Sequence, residues 1–336
     1  MSPTGTRADR TGRGTADPTT TPGGPGDPAQ VRMDLLLLVV AVAGISLSGP
    51  LVAATAAPAL AIAFWRNAMA VAGLAPLVLL RRRLRAQVTG MGRRNLLLTV
   101  AGGAALAAHF ALWLPSLRMT SVASSVALVT TTPIWVQILL RLRGHRPPTA
   151  VWLGSAVAFA GVLLLTGVDL TVSGRALAGD ALALAGGFMA AVYMLIGAEV
   201  RRTTGTTGYT FVCYGATSVV LLVACLAVGT PLVGWDLTTW LKLVTLTLTA
   251  QILGHSVLNR VVRGLGPSVT STAILLEAPG AAVIAALWLG QWPPLLTWGA
   301  LMVILLGLVL VIRAERAPAA PMGTPVGLPG APPAGP

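Results

Sequence analysis

Four ionisable side chains fall inside long apolar runs of this 336-residue chain: Arg66, His109, His255 and Glu277. An ionised group at the centre of a lipid bilayer costs roughly 2.5 to 3.5 kcal/mol on insertion scales, so each must face protein or water. Glu277 has Thr270 seven residues before it, close to two helical turns away on one face. A shift of 146 residues carries that pair onto Ser124 and Thr131, which outlines a matching polar stripe in each half of the chain. Glu277 then reads either as a contact for a proton or a small molecule, or as an internal hydrogen-bonding residue that fixes helix packing.

The two histidines are related by the same shift. Neutral imidazole both donates and accepts hydrogen bonds and titrates near neutral pH, so the pair could line a cavity and relay protons, or each ring could satisfy a nearby backbone carbonyl. Arg66 admits three readings: an anchor that snorkels to the surface, a partner for Glu277, or a clamp for an anionic group. Tyr193, Trp65 and Trp113 lie within apolar runs and either shape a cavity or pack the core, whereas Trp235, Trp240, Trp288, Trp292 and Trp298 sit near run ends as interfacial belts do. No Cys, Asp or Glu stands at ligand spacing from either His, so no metal site is expected. Asp34, Asp169, Asp180 and Asp236 read as isolated span-end acids, not as the paired acids an intramembrane enzyme would need.

The elements that position these groups are transmembrane helices. Hydrophobic residues make up 55% of the chain, charged ones 10%, and mean hydropathy is +0.80. Apolar runs punctuated by Arg, Gly and Pro give ten spans, at about 34–54, 59–80, 95–115, 120–140, 149–168, 178–198, 208–229, 238–259, 266–288 and 295–313. Helices are expected because lipid offers no partner to an unpaired backbone group, and the runs lack the alternation of a membrane β-barrel. Residues 1–31 and 317–336, rich in Gly, Pro and Thr or Ala, read as disordered cytoplasmic tails. Cys213 and Cys225 share one span about 18 Å apart, too far to pair with each other.

With the N-terminus inside, nineteen of the 23 Lys and Arg residues fall on the inner side, Arg118, Arg175 and Lys242 fall outside, and Arg66 lies within a span. The net charge of +13 thus reports topology, not affinity for nucleic acid. Sliding the chain by 146 residues aligns 109–165 with 255–311 without a gap, matching His109 to His255, Pro133 to Pro279, Gly144 to Gly290, Pro147-Pro148 to Pro293-Pro294, Trp152 to Trp298 and Gly161 to Gly307. Each half therefore holds five spans, and an odd number makes the second enter the membrane from the opposite side. The fold expected is an all-α integral membrane protein of two inverted five-helix repeats, 34–168 and 178–313, with a cavity where they meet.

Several segments resemble the EamA-type members of the drug/metabolite transporter superfamily: Phe64-Trp65-Arg66-Asn67, the Ser/Thr-rich approach to Pro133, Leu276-Glu277-Ala278-Pro279, and the elements Gly144-His145-Arg146-Pro147-Pro148 and Gly290-Gln291-Trp292-Pro293-Pro294. The likeness covers nearly all of 34–313. It implies ten helices, cytoplasmic ends, a central cavity and export or facilitated movement of metabolites, amino acids or drugs. The family often carries Glu directly after the two glycines, where this chain has His145 and Gln291. The expectation is a secondary transporter working by alternating access with proton coupling, without a cofactor. No P-loop is present to use ATP directly. Expected partners are a small-molecule solute and membrane lipid, with no nucleic acid; a homodimer is compatible with this reading. An intramembrane enzyme on lipid-like substrates and a non-transporting sensor or scaffold are the alternatives.

Overall fold

A computed structural model describes residues 28–144, 148–170, 173–257, 261 and 276–316, and among them every regular element is a helix. The first half comprises α1 (Pro28–Ser46), α2 (Ser48–Ala54), α3 (Ala59–Leu80), the short arginine-rich α4 (Arg82–Thr89), α5 (Arg93–Ser116), α6 (Val122–Val129), α7 (Thr132–Leu142) and α8 (Thr149–Leu170). The second half comprises α9 (Gly174–Val200), α10 (Thr206–Ala227), α11 (Leu237–Leu246), the π-helical α12 (Thr247–Ser256) that continues it, α13 (Glu277–Leu289) and α14 (Leu295–Arg316). The ten expected crossings are recovered as α1 with α2, α3, α5, α6 with α7, α8, α9, α10, α11 with α12, α13 and α14. Of the ninth expected span, 266–288, the described part begins at residue 276. Leu36, Val39, Leu153, Val219 and Leu226 stand exposed on the outer faces, as lipid-facing side chains must.

Two crossings that the hydropathy pattern joins are broken in the middle, and proline explains both. Pro50 has no N–H to give the Ser46 carbonyl, and the chain steps from α1 to α2 at Leu47. Pro133 likewise cannot bond Val129, and the three threonines before it compensate. The hydroxyls of Thr130, Thr131 and Thr132 donate to the carbonyls of Ala127, Leu128 and Val129 at 2.9, 2.6 and 2.9 Å. The duplicated segment behaves alike: α13 starts at Glu277, with Pro279 in its first turn, where the missing N–H costs nothing. Gly144 (φ 89°) and Gly290 (φ 67°), the paired glycines of the repeat, both lie in the left-handed region just after α7 and α13.

The last helices of the halves, α8 and α14, pack against each other in a way that exposes the symmetry of the duplication. A Cβ on Gly161 would meet the Ile304 backbone nitrogen, one on Gly307 would meet Ala158, and one on Gly154 would meet Val311. Residue numbers fall along α8 as they rise along α14, so the helices are antiparallel. Gly161 and Ala158 face the repeat counterparts of each other, Ile304 and Gly307, as a two-fold axis between inverted halves demands. Absent side chains let the backbones approach closely, which drives helix association where lipid supplies no hydrophobic force. The halves also interlock elsewhere, α5 against α9 and α10, and α3 against α10 and α12.

Candidate functional site: a buried arginine between the halves

Arg66 rides on α3, about two turns after the helix begins, and is among the most buried side chains, 1% exposed. A guanidinium that cannot reach water needs partners, and these come from both halves. Its Nη2 donates to Oε1 of Gln251 on α12 at 2.8 Å. Its Cζ stands 4.3 Å from the ring centroid of Phe110 on α5, a cation–π contact made strong by exclusion of water. Tyr214 on α10 interacts with both Arg66 and Gln251, and the Glu277 carboxylate at the head of α13 interacts electrostatically with Arg66. Arg66 Nε and Nη1 have no hydrogen-bond partner among the described residues. The positive end of α13 favours a carboxylate in its first turn, and α12 brings Gln251 inward from a stretch of π-helix, a geometry that often marks functional positions.

His109 adjoins this centre through Phe110. Its ring stacks on Trp113 at 5.5 Å and tilts on Phe110 at 4.8 Å. Its Nδ1 lies 2.9 Å from the Gly186 carbonyl of α9, and a carbonyl can only accept, so Nδ1 carries the hydrogen. Tyr193 on α9 is half-buried and packs against the main hydrophobic core. Ser124 and Thr131 are buried but serve the backbone: Ser124 bonds the Ser121 cap of α6 through both its N–H and its hydroxyl, and Thr131 caps the end of α6. The polar stripe of the first half is thus the stitching of a broken helix. Thr270 and the side chain of His255 lie outside the described residues, although α12 carries the His255 backbone.

Gln251, Tyr214 and Phe110 escape a reading aimed at ionisable groups. An amide in an apolar run was the available signal for Gln251, whereas Phe110 looks like any core aromatic. Asp34 and Asp180, read as isolated span-end acids, are both buried and neither is without a partner. Among the described residues no group of three or more His, Cys, Asp or Glu side chains could hold a metal ion.

Trp65, the neighbour of Arg66 on α3, belongs to an aromatic cluster. Trp65 donates to the Leu232 carbonyl at 2.7 Å and meets Trp240 edge to face at 5.0 Å, with Trp235 5.4 Å from Trp240. Trp235 and Trp240 therefore pack inward over Trp65, unlike Trp288 and Trp292, which remain exposed as belt residues do. The three cations expected on the outer side donate to backbone carbonyls. Lys242 donates to the Ala54 carbonyl at 2.7 Å, Arg118 to those of Thr55 and Ala57 at 2.7 and 2.5 Å, and Arg175 to that of Arg118 at 3.3 Å. Burial pulls the Arg118 guanidinium below the usual arginine value. Nearby, the Asp236 carboxylate is held below its ordinary value by the Thr239 hydroxyl and N–H, which it accepts as the cap of α11. Gln291, where the family often has Glu, accepts from the Val122 N–H at 3.2 Å and so caps α6 of the other half with a neutral amide.

A solved crystal structure of a protein superposes with TM-score 0.59 over 85% of this chain and 99% of its own, at 16% identity, which shows the fold alone. The uncharacterized transporter YdfC of Bacillus subtilis (strain 168) is 29% identical over 175 residues, 51% of this chain, so the match spans little more than half, 56%, of that relative. The EamA-like transporter family matches twice, over 32–167 and 177–313, in step with the duplication that the α8–α14 contact displays. The chain is a multi-pass membrane protein that belongs to the EamA-like transporter family.

Proposed function

We propose that the chain is a secondary transporter that exports a small metabolite, amino acid or drug by alternating access, with the Arg66 group as its central binding site. The observation that carries this reading is a buried guanidinium whose Nε and Nη1 have no partner among the described residues, set between two inverted halves that contribute Phe110 on one side and Tyr214, Gln251 and Glu277 on the other. A site shared in this way changes its access when one half rocks against the other. The charge pattern supports a cell-membrane location with both ends cytoplasmic, which makes the face latched by Lys242 and Arg118 the outer one. Glu277, an acid in electrostatic range of a fixed cation, supplies a group that can exchange a proton as access alternates.

Reconstitution tests the proposal. Proteoliposomes are assayed for flux of amino acids, nucleosides, dyes and antibiotics under an imposed pH gradient. Accelerated flux of at least one class is expected, lost more than about tenfold in Arg66→Ala, which on a rate scale exceeds about 1.4 kcal/mol. Glu277→Gln is expected to retain solute exchange but not its response to the gradient. Chemically altered solute without flux would show an enzyme instead, and neither outcome would leave a sensor or scaffold.

A further inference from the structure

A second site lies away from the Arg66 group, at the opposite end of the helices, and does not depend on the transport reading. A cavity of about 570 Å³ opens on the protein surface where the start of α5, the end of α7 and the end of α9 meet. Its volume is in the range of roughly 300 to 1,000 Å³ typical of small-molecule clefts. Its rim carries Arg94, Arg143 and Arg202 with a single acid, Glu199. Glu199 bridges two of the arginines, at 3.0 Å to Arg94 and 3.3 Å to Arg202, and holds them side by side while their side chains stay 74% and 76% exposed. The rim therefore keeps a net positive charge that its own acid does not cancel.

The depth profile of this cavity identifies its occupant. The charged residues stand at span ends: Arg94 opens the span Arg93–Ser116, Arg143 follows Val122–Leu142, and Glu199 and Arg202 close Gly174–Val200. About one turn deeper the lining turns apolar, with Leu98, Leu140, Leu195 and Ile196. Cations at headgroup level above a hydrocarbon wall match one class of molecule in both polarity and order. We propose that this groove binds an anionic phospholipid, phosphate on the three arginines and acyl chain along Leu98, Leu140 and Ile196. A free phosphate would satisfy the rim and leave the wall bare, whereas a zwitterionic lipid would satisfy the wall and set its ammonium against the arginines. Because α5 and α7 belong to one half and α9 to the other, the bound lipid bridges the halves on this face.

Native mass spectrometry of the full chain, purified in detergent and offered phosphatidylglycerol or phosphatidylcholine, reads the preference directly. Phosphatidylglycerol is expected to be retained over phosphatidylcholine and to raise the unfolding temperature. Each arginine removed is expected to weaken retention about fivefold. The triple variant Arg94→Gln, Arg143→Gln, Arg202→Gln then loses on the order of a hundredfold, while Arg81→Gln, Arg82→Gln, Arg83→Gln at the start of α4 retains the preference. Where the triple variant does not fold, Arg143→Gln, which keeps both ion pairs of Glu199, and Ala198→Trp, which fills the cavity wall without changing charge, are each expected to lower retention. Equal retention of the two lipids, loss of preference in the α4 control, full preference in the groove variants, or the same thermal shift from inorganic phosphate would each overturn the proposal.

Discussion

A single buried cation sets the terms of the central site. Arg66 loses its water and recovers part of the loss from Gln251, Phe110 and Glu277, so each partner is held to its place by the cost of its removal. Gln251→Leu strips an acceptor from a buried donor and is expected to destabilise the protein by about 1–3 kcal/mol, whereas Gln251→Glu keeps the acceptor and is expected to be milder. Thermal unfolding in detergent distinguishes the two. Gln291 makes the complementary case at a helix end. Gln291→Ala leaves the Val122 N–H unpaired and is expected to cost about 0.5–1.5 kcal/mol, while Gln291→Glu keeps the bond and adds a charge that the α6 N-terminus favours. A variant with Glu less stable than one with Ala in the same unfolding assay would show that the amide, not the cap, matters.

Among the elements, the α8–α14 seam has the least room. A Cβ at Gly161 or Gly307 meets backbone atoms of the facing helix, which no side-chain rotation relieves. Gly161→Leu and Gly307→Leu are each expected to cost at least about 1–3 kcal/mol by overpacking. Gly299, on the same α14, faces open space, so Gly299→Ala is expected to be neutral or to stabilise by up to about 1 kcal/mol through helix propensity. Fluorescence-detected size-exclusion after graded heating ranks the three variants. The broken helices carry a second lesson: at the α6–α7 break the Thr132 hydroxyl bonds the Val129 carbonyl that Pro133 leaves bare, and Thr130 and Thr131 bond the two carbonyls before it.

For the whole molecule, the inverted repeat fixes which loops share a face. Gln87 on α4 packs against Gly205 and Gly208 ahead of and within α10, so cysteines placed at Ala86 and Thr203 in a chain lacking Cys213 and Cys225 are expected to react from the same side. An impermeant maleimide reports this on intact cells and after lysis, and labelling from opposite sides would undo the inverted arrangement. The opposite face is held by Lys242, which donates to the carbonyl of the last residue of α2, and Arg118, which donates to carbonyls of the segment between α2 and α3. Removing both, as Lys242→Ala with Arg118→Gln, is expected to shift the population toward opening on that side. The readout is severalfold faster labelling of a cysteine in place of Ala57, a residue 0% exposed in the latched state.

The all-helical membrane fold and the duplication were legible in the residues themselves, because a bilayer demands about 20 apolar residues per helix and a gene duplication leaves His109, Pro133, Gly144 and Gly161 in register with their counterparts. Proline positions were a weaker guide: Pro50 and Pro133 interrupt spans that the apolar pattern read as continuous, whereas Pro76 lies inside an unbroken α3. What only the tertiary structure decided is which polar groups meet. A helix that is apolar nearly all round has no strong face to reveal its rotation, so nothing in the order of residues says that Arg66 turns to Gln251, 185 positions away, or that Trp235 and Trp240 turn inward over Trp65. Ser124 and Thr131 show the same limit from the other side: their spacing marked a polar stripe, and the packing gave it to the backbone.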